Sequence, residues 1–165
     1  MKQVARPVAH AHKTTNNMTT EFDQLPEEIM DEIRKVYSAT LIDHAMNPRN
    51  VGEIENADGH AQTTGPCGDQ MEMWIRIINE TIQEATFWTS GCATTIAAGS
   101  IAADIATGMT IPEALRINPA QVIEALDGLP EENKDCALMA AETIKSAVRD
   151  YLSLKREPWK KGYRR

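Results

Sequence analysis

The sequence has no run of apolar residues approaching the ~18 that a membrane-spanning helix needs. No apolar stretch follows the N-terminal basic residues either, so a secretory signal is not expected. Internal repeats and low-complexity segments are likewise missing. Membrane, secreted and repeat proteins are therefore disfavoured, and a globular protein of the cytoplasm is expected.

Cysteine is scarce and is not arranged as in a secreted disulfide scaffold. The three cysteines, Cys67, Cys92 and Cys136, are odd in number, far apart and outside any C-x-x-C motif. Small secreted domains use even and denser sets. Reduced intracellular thiols are therefore predicted. Burial as ordinary core residues is one interpretation, because free cysteine is among the most buried residue types.

Positive charge is in short supply over most of the chain. The 17 Lys and Arg residues face 24 Asp and Glu residues, a net charge of -7, and the basic residues cluster in 151–165. An acidic body argues against nucleic-acid binding, which needs a positive field over the phosphates. The basic end is interpreted as solvated cations that follow a last helix, and docking to an acidic partner is the alternative.

Length and hydrophobic content predict one domain with its own core. The chain has 165 residues, of which 42% are hydrophobic. We expect a flexible N-terminal leader at 1–25, a folded domain at 26–157 and a basic C-terminal tail at 158–165. Met18 is an alternative start of translation within the leader, and the sequence does not decide between it and Met1.

Period-two alternation in the middle of the chain predicts a small antiparallel sheet. Apolar and polar residues alternate over 71–77, and a second strand at 82–88 follows the breaker pair Asn79-Glu80. A third strand is expected just before Pro66. Three strands with one apolar face need helices to cover that face, which predicts an α+β fold rather than alternating β-α units.

Helical spacing flanks this sheet on both sides. One helix is expected from Pro26 to about Ala45, where Asn47-Pro48 ends it. After the sheet, a helix of small residues is expected at 93–107. Short helices should follow Thr110 and Asn118, and a long last helix should begin near Asn133.

All three cysteines fall at predicted element boundaries, whereas structural core cysteines tend to lie in the middle of an element. Cys92 and Cys136 lie near helix N-termini, which lower thiol pKa and favour the thiolate that binds metal or accepts sulfur. Asp69 lies two residues after Cys67. Three thiolates and one carboxylate would complete a shell for zinc, or for an iron–sulfur cluster with one oxygen ligand. The spacings match no short metal motif, so buried thiols stay an equal alternative.

Six segments occur in one order along the chain. They are YSATLIDH at 37–44, NPRNVG at 47–52, CGD at 67–69, FWTSGC at 87–92, LP at 129–130 and CALMA at 136–140. Together they resemble the U-type iron–sulfur cluster scaffolds (IscU, the NifU N-terminal domain and SufU) over about residues 37–155.

The resemblance implies a function and a set of site residues. Family members take sulfur from a cysteine desulfurase as a persulfide, combine it with iron into a [2Fe-2S] cluster and pass the cluster to acceptor apoproteins. The implied ligands of iron, or of zinc in the resting form, are Cys67, Asp69, Cys92 and Cys136. Cys136 is expected to accept sulfur first, with Cys67 as runner-up. Such a protein is a scaffold or carrier rather than an enzyme, and whether a homodimer forms on cluster binding stays open.

At two places the sequence departs from the family pattern, and the family's properties are not transferred to this chain there. Many members have His immediately before the third cysteine, where this chain has Asp135. Zinc-binding SufU-type members also lack that His, so a zinc-dependent persulfide sulfurtransferase is the alternative function, although the SufU-type insertion is missing. The segment gripped by a dedicated Hsp70-type chaperone in IscU relatives reads LPEEN at 129–133 here, so no strong binding to such a chaperone is expected.

Two further residues of the resembling segments have open roles. His44 is interpreted as a structural hydrogen-bonding residue at a helix end. Arg49 either holds its loop or pairs with a desulfurase surface, and the sequence does not separate these alternatives.

Overall fold

The computed structural model describes residues 25–163, so nearly all of the predicted leader at 1–25 lies outside the described residues. Helices flank one sheet, and a short 3-10 helix follows α5 and another follows α6. The elements are α1 (Glu27–Val36), α2 (Ala39–Met46), β1 (Gly59–Thr64), β2 (Gln70–Ile78), β3 (Thr81–Thr89), α3 (Ala93–Ala106), α4 (Ile111–Ala114), α5 (Pro119–Ala125), a 3-10 helix (Glu131–Asn133), α6 (Lys134–Arg156) and a 3-10 helix (Pro158–Tyr163).

The three strands form an antiparallel sheet in the order β1-β2-β3, which confirms the predicted α+β fold. Asn79 and Glu80 form the tight turn of the β2–β3 hairpin and both have positive φ, 52° and 58°. On β2 the buried residues are Met71, Met73 and Ile75, so the predicted alternation faces the core as expected.

Two helices cover the apolar face of the sheet. The long helix α6 packs on β1 and β2, whereas α3 packs on β3 and against α6. The small residues of α3 permit close approach: a Cβ added at Gly99 would lie 2.4 Å from the Phe87 ring. This close approach packs the middle of α3 against β3.

The first predicted helix is wrong as a single element, because it is broken into α1 and α2. Ser38 has an extended backbone, and its hydroxyl accepts a hydrogen bond from the backbone N–H of Leu41 at 3.0 Å. An N-cap of this kind satisfies an otherwise orphan donor and starts a new helix. The end of α2 at Met46, before Asn47-Pro48, agrees with the prediction.

The loop that follows α2 lies along the outer edge of β3. Phe87 donates its backbone N–H to Asn50 (2.9 Å), and Gly52 donates to the carbonyl of Phe87 (3.0 Å). Arg49 contacts the carboxylate of Asp43 at 2.6 Å and Nε2 of His44 at 2.6 Å. Arg49 therefore holds its own loop, and His44 has the predicted structural role.

Among residues 25–163, no helix is both long enough and apolar enough to cross a bilayer. This finding agrees with the absence of a long apolar run in the sequence. Lys160 and Lys161 lie in the 3-10 helix Pro158–Tyr163, which packs against α6.

Candidate functional site

Cys67 lies on the turn between β1 and β2, and its side chain is exposed. The turn is closed by hydrogen bonds from the N–H of Gly65 to the carbonyl of Asp69 (2.8 Å) and from the N–H of Gly68 to the carbonyl of Gly65 (3.0 Å). Gly68 has φ of 84°, a conformation that favours glycine. The predicted proximity of Cys67 and Asp69 thus follows from one compact turn, on which Asp69 is half-buried.

Cys92 occupies the N-cap position of α3, where the helix begins after β3. Partial burial of its sulfur raises its pKa, but hydrogen bonds from the backbone and side chain of Thr95, and from Thr94, outweigh this effect. The net result is a pKa below the ordinary value for a thiol. This agrees with the expectation that a helix N-terminus favours the thiolate at Cys92.

Cys136 lies in the first turn of α6 and is half-buried. Burial raises its pKa above the ordinary value, and a hydrogen bond with Thr95 offsets only part of that rise. The negative charges of Cys92, Asp69 and Cys67 raise it further. The expectation of a lowered pKa at Cys136 is therefore wrong, because desolvation and like charge outweigh the helix N-terminus.

The side chain of Thr95 joins two of the three cysteines. Its Oγ1 lies 3.7 Å from Sγ of Cys92 and 3.4 Å from Sγ of Cys136. Both sulfurs lie near the same oxygen, so the distance between the two sulfurs cannot exceed the sum of these two distances. Thr95 and Cys136 are 41 positions apart in the sequence, and their contact brings the thiols of Cys92 and Cys136 to one hydroxyl.

The fourth candidate, Asp69, and the remaining thiol, Cys67, lie close enough to act on Cys136 through their charge. Even so, no three His, Cys, Asp or Glu side chains within residues 25–163 stand close enough together to hold a metal ion as placed. Asp135 is exposed on α6, next to Cys136. The four candidates thus form an open cluster, in which Cys67 and Cys92 are exposed and Asp69 and Cys136 are half-buried.

Thr95 is the site residue that sequence reasoning missed. It lies three residues after Cys92 on a helix, a spacing that puts two side chains on one face. That spacing was readable from the sequence. Its contact with Cys136 was not, because it depends on how α3 packs against α6.

An apolar cavity of about 250 Å³ adjoins the cluster between α1, α2 and the start of α3. Cys92 and Ala93 form one wall, and Met30 and Leu41 lie among the apolar side chains opposite. Asn133 also lines it, and the buried Oδ1 of Asn133 has no hydrogen-bond partner among residues 25–163. The helix α1 lines this cavity with Met30 and Ile33, and Met30 is its one residue classed as buried.

Comparison with known proteins defines the family. Residues 36–157, which include every candidate ligand, match the NifU-like N terminal domain family. The chain belongs to the NifU-like N-terminal domain family, as the six segments of the sequence suggested.

Relatives and solved structures agree with this assignment. The iron–sulfur cluster assembly scaffold protein IscU 1 of Archaeoglobus fulgidus is 44% identical over 117 residues, which covers 70% of this chain and 76% of the relative. The protein named IscU in Escherichia coli strain K12 is 39% identical over 126 residues, 73% of this chain and 97% of the relative. A structure described as a SufU scaffold protein from Fervidobacterium islandicum superposes with a TM-score of 0.57 at 20% identity, covering 70% of this chain and 98% of that one, and shows the fold.

Proposed function

We propose that this protein is a scaffold on which an iron–sulfur cluster is assembled and from which it is transferred to acceptor apoproteins. The convergence of the Cys92 and Cys136 thiols on Thr95 is the observation that carries the proposal. The relatives, which are named as iron–sulfur cluster assembly scaffold proteins, support it. They also favour a scaffold over an enzyme.

In this proposal the cargo is held by Cys67, Asp69, Cys92 and Cys136. Thiolates are soft ligands that suit iron–sulfur clusters and zinc, whereas the Asp69 carboxylate is a hard oxygen donor that holds iron less firmly. One weak ligand suits a protein that must release what it builds. In the described arrangement Cys67 is exposed on the hydrogen-bonded turn at 65–69.

Sulfur comes from a cysteine desulfurase as a persulfide. Cys136 is the predicted first acceptor and Cys67 the alternative. The half-burial of Cys136 counts against it, whereas Cys67 and Cys92 are both exposed, since an incoming persulfide must be attacked by an accessible thiolate. Mass spectrometry of the metal-free protein after a brief exposure to desulfurase and cysteine distinguishes the two by the cysteine that gains one sulfur.

Assembly of a cluster on the purified protein tests whether it binds iron and sulfide. Metal-free protein is incubated anaerobically with ferrous iron, cysteine and a cysteine desulfurase, and bound iron and acid-labile sulfide are then counted. We expect near-equal iron and sulfide, a cluster of the [2Fe-2S] type, and loss of both in Cys67→Ser, Cys92→Ser or Cys136→Ser. The control Glu84→Gln, an exposed carboxylate on β3, should retain them.

A zinc-dependent persulfide sulfurtransferase is the second candidate. Asp135 in place of a histidine favours it, since this feature is shared with zinc-binding SufU-type proteins. Persistent zinc, one sulfane sulfur on a cysteine and no acid-labile sulfide in the same incubation would support the sulfurtransferase and contradict the scaffold.

The proposal extends to location and partners. A cytoplasmic location and the absence of strong binding to a dedicated Hsp70-type chaperone stay predictions from the sequence. Glu131 and Glu132, both exposed, put two negative charges where the chaperone-binding segment of IscU relatives is apolar. Tight, ATP-sensitive binding of a peptide spanning residues 127–135 to such a chaperone would contradict this part.

A further inference from the structure

We infer that Thr95 is a positioning residue that holds Cys92 and Cys136 together as a ready-made pair of ligands and directs one hydrogen bond at their sulfurs. The inference rests on the proposed function and adds to it a residue that is itself no ligand. It stands on three observations: the burial of the side chain, the contact with Gly91 and the two sulfur distances.

The side chain of Thr95 has little freedom to move. Thr95 is fully buried, with 0% of its surface exposed. A Cβ at Gly91 would lie 2.6–2.7 Å from the Cβ, Cγ2 and Oγ1 atoms of Thr95, so the glycine leaves the space that this side chain fills. The β-branched side chain is stiff about its first torsion. The hydroxyl is therefore held where it is by packing.

The chemistry of the hydroxyl decides what it does between two sulfurs. It has one proton to donate and two lone pairs that accept. In the metal-free protein a thiol S–H on one sulfur can donate to Oγ1 while the O–H donates to the other sulfur. When both sulfurs are ligands they carry no proton, so Thr95 can only donate, and it donates to one of them.

Hydrogen bonds to ligating sulfur are among the factors that set the reduction potential of an iron–sulfur cluster. A donor stabilises the more negative, reduced state and so raises the potential. Removal of the Thr95 hydroxyl should therefore shift the potential of the bound cluster to a more negative value. It should also leave the side chains of Cys92 and Cys136 less firmly oriented in the metal-free protein.

The test uses two substitutions of Thr95 and one matched control. Thr95→Val keeps the shape and removes the hydroxyl, whereas Thr95→Ser keeps the hydroxyl. Thr86→Val is the control, because the Thr86 hydroxyl is also buried but has no hydrogen-bond partner within the described part of the chain. Amide NMR spectra establish first that each variant keeps the fold.

The first measurement needs no cluster. The Hα–Hβ couplings of Cys92 and Cys136 in the metal-free protein report whether each side chain stays in one rotamer. We expect single rotamers in the parent, Thr95→Ser and Thr86→Val, and averaged couplings in Thr95→Val. Couplings in Thr95→Val that match the parent would overturn the positioning role.

The second measurement uses protein loaded with iron and sulfide. We expect a more negative midpoint potential and shifted sulfur-to-iron charge-transfer bands in Thr95→Val, with parent values in Thr95→Ser and Thr86→Val. A parent potential in Thr95→Val would overturn the hydrogen bond to the loaded site. If no variant, including the parent, binds iron and sulfide, the proposed function fails, while the couplings still decide the position of Thr95.

Discussion

Arg49 donates a hydrogen bond from Nη1 to Nε2 of His44, with the two nitrogens 2.6 Å apart. A guanidinium has only donors, so Nε2 must be the accepting nitrogen and the proton of the neutral ring is on Nδ1. Nδ1 then donates to the hydroxyl of Ser100 at 2.8 Å, and Ser100 also accepts from the backbone N–H of Arg49 at 2.8 Å. His44 thus ties the end of α2 to α3 and to the loop after α2 in one defined tautomer.

This arrangement predicts a loss of stability in acid. Burial lowers the pKa of His44 below its ordinary value of 6.5, and the positive charge of Arg49 lowers it further. The unfolded chain therefore binds a proton at this residue more readily than the native state. As pH falls through the unfolded value, His44 removes stability from the native state, and the loss is complete below the folded pKa.

The variant His44→Gln should lose part of this pH dependence. Glutamine cannot take up the proton, so the fall in unfolding free energy between pH 7.5 and pH 5.5 should become smaller. Urea denaturation at the two pH values measures it. An unchanged fall in His44→Gln would contradict the role given to His44.

The two thiols bound by Thr95 should differ in reactivity. Hydrogen bonds from Thr95 and Thr94 hold the pKa of Cys92 below its ordinary value, despite partial burial, whereas burial raises that of Cys136. The thiolate is the nucleophile, so at neutral pH iodoacetamide should alkylate Cys92 about tenfold faster or more than Cys136. Peptide mapping after a short pulse of iodoacetamide on metal-free protein gives the ratio of the two alkylation rates. Equal rates would contradict the difference in pKa between Cys92 and Cys136.

Removal of the Asp69 carboxylate should prolong the life of the bound cluster. The oxygen donor holds iron less firmly than the three thiolates and gives attacking thiols or water a point of entry. In Asp69→Ala we expect the visible absorption of the cluster to decay several-fold more slowly under anaerobic chelator challenge. Glu84→Ala, which removes a carboxylate from the exposed side of β3, should decay as the parent does. Equal or faster decay in Asp69→Ala would remove Asp69 from this role.

Close packing between α3 and β3 should make Gly99 intolerant of a side chain. A Cβ at Gly99 would lie 2.4 Å from the Phe87 ring, and overpacking in a core costs about 1–3 kcal/mol. Gly99→Ala should lower the unfolding free energy by that amount in urea denaturation. Gly162→Ala is the control, because no atom of residues 25–163 outside its own chain neighbours lies within 4 Å of its added Cβ. Equal unfolding free energies of the two variants would show that the Phe87 ring moves aside without loss of stability.

The parts of the fold that follow from local patterns were predictable. The alternation on β2, the Asn79-Glu80 turn and the capping boxes that begin α4 at Thr110 and α5 at Asn118 all depend on neighbouring residues. The break at Ser38 is also local, but a continuous apolar pattern across it concealed the cap. Apolar spacing reports a buried face and does not report a change of helix axis.

The sequence names candidate ligands but does not give their arrangement. The positions of the cysteines, the chemistry of Asp69 and the similarity of the segments all led to the same four residues. The raised pKa of Cys136 depends on burial and on charges brought in by other elements. The position of Thr95 between two sulfurs depends on the packing of α3 against α6. Contacts between elements far apart in sequence leave no periodic signal.

The loop that lies along β3 has a consequence for how the molecule behaves among other proteins. β3 is an edge strand of the sheet. At this edge the backbone N–H and carbonyl of Phe87 are hydrogen-bonded to Asn50 and Gly52. An open strand edge invites pairing with any extended chain, which is a route to aggregation. The opposite edge is β1, a strand of six residues. Because one edge strand is partly hydrogen-bonded to the loop and the other is short, the sheet has few free backbone groups with which strands of neighbouring molecules can pair.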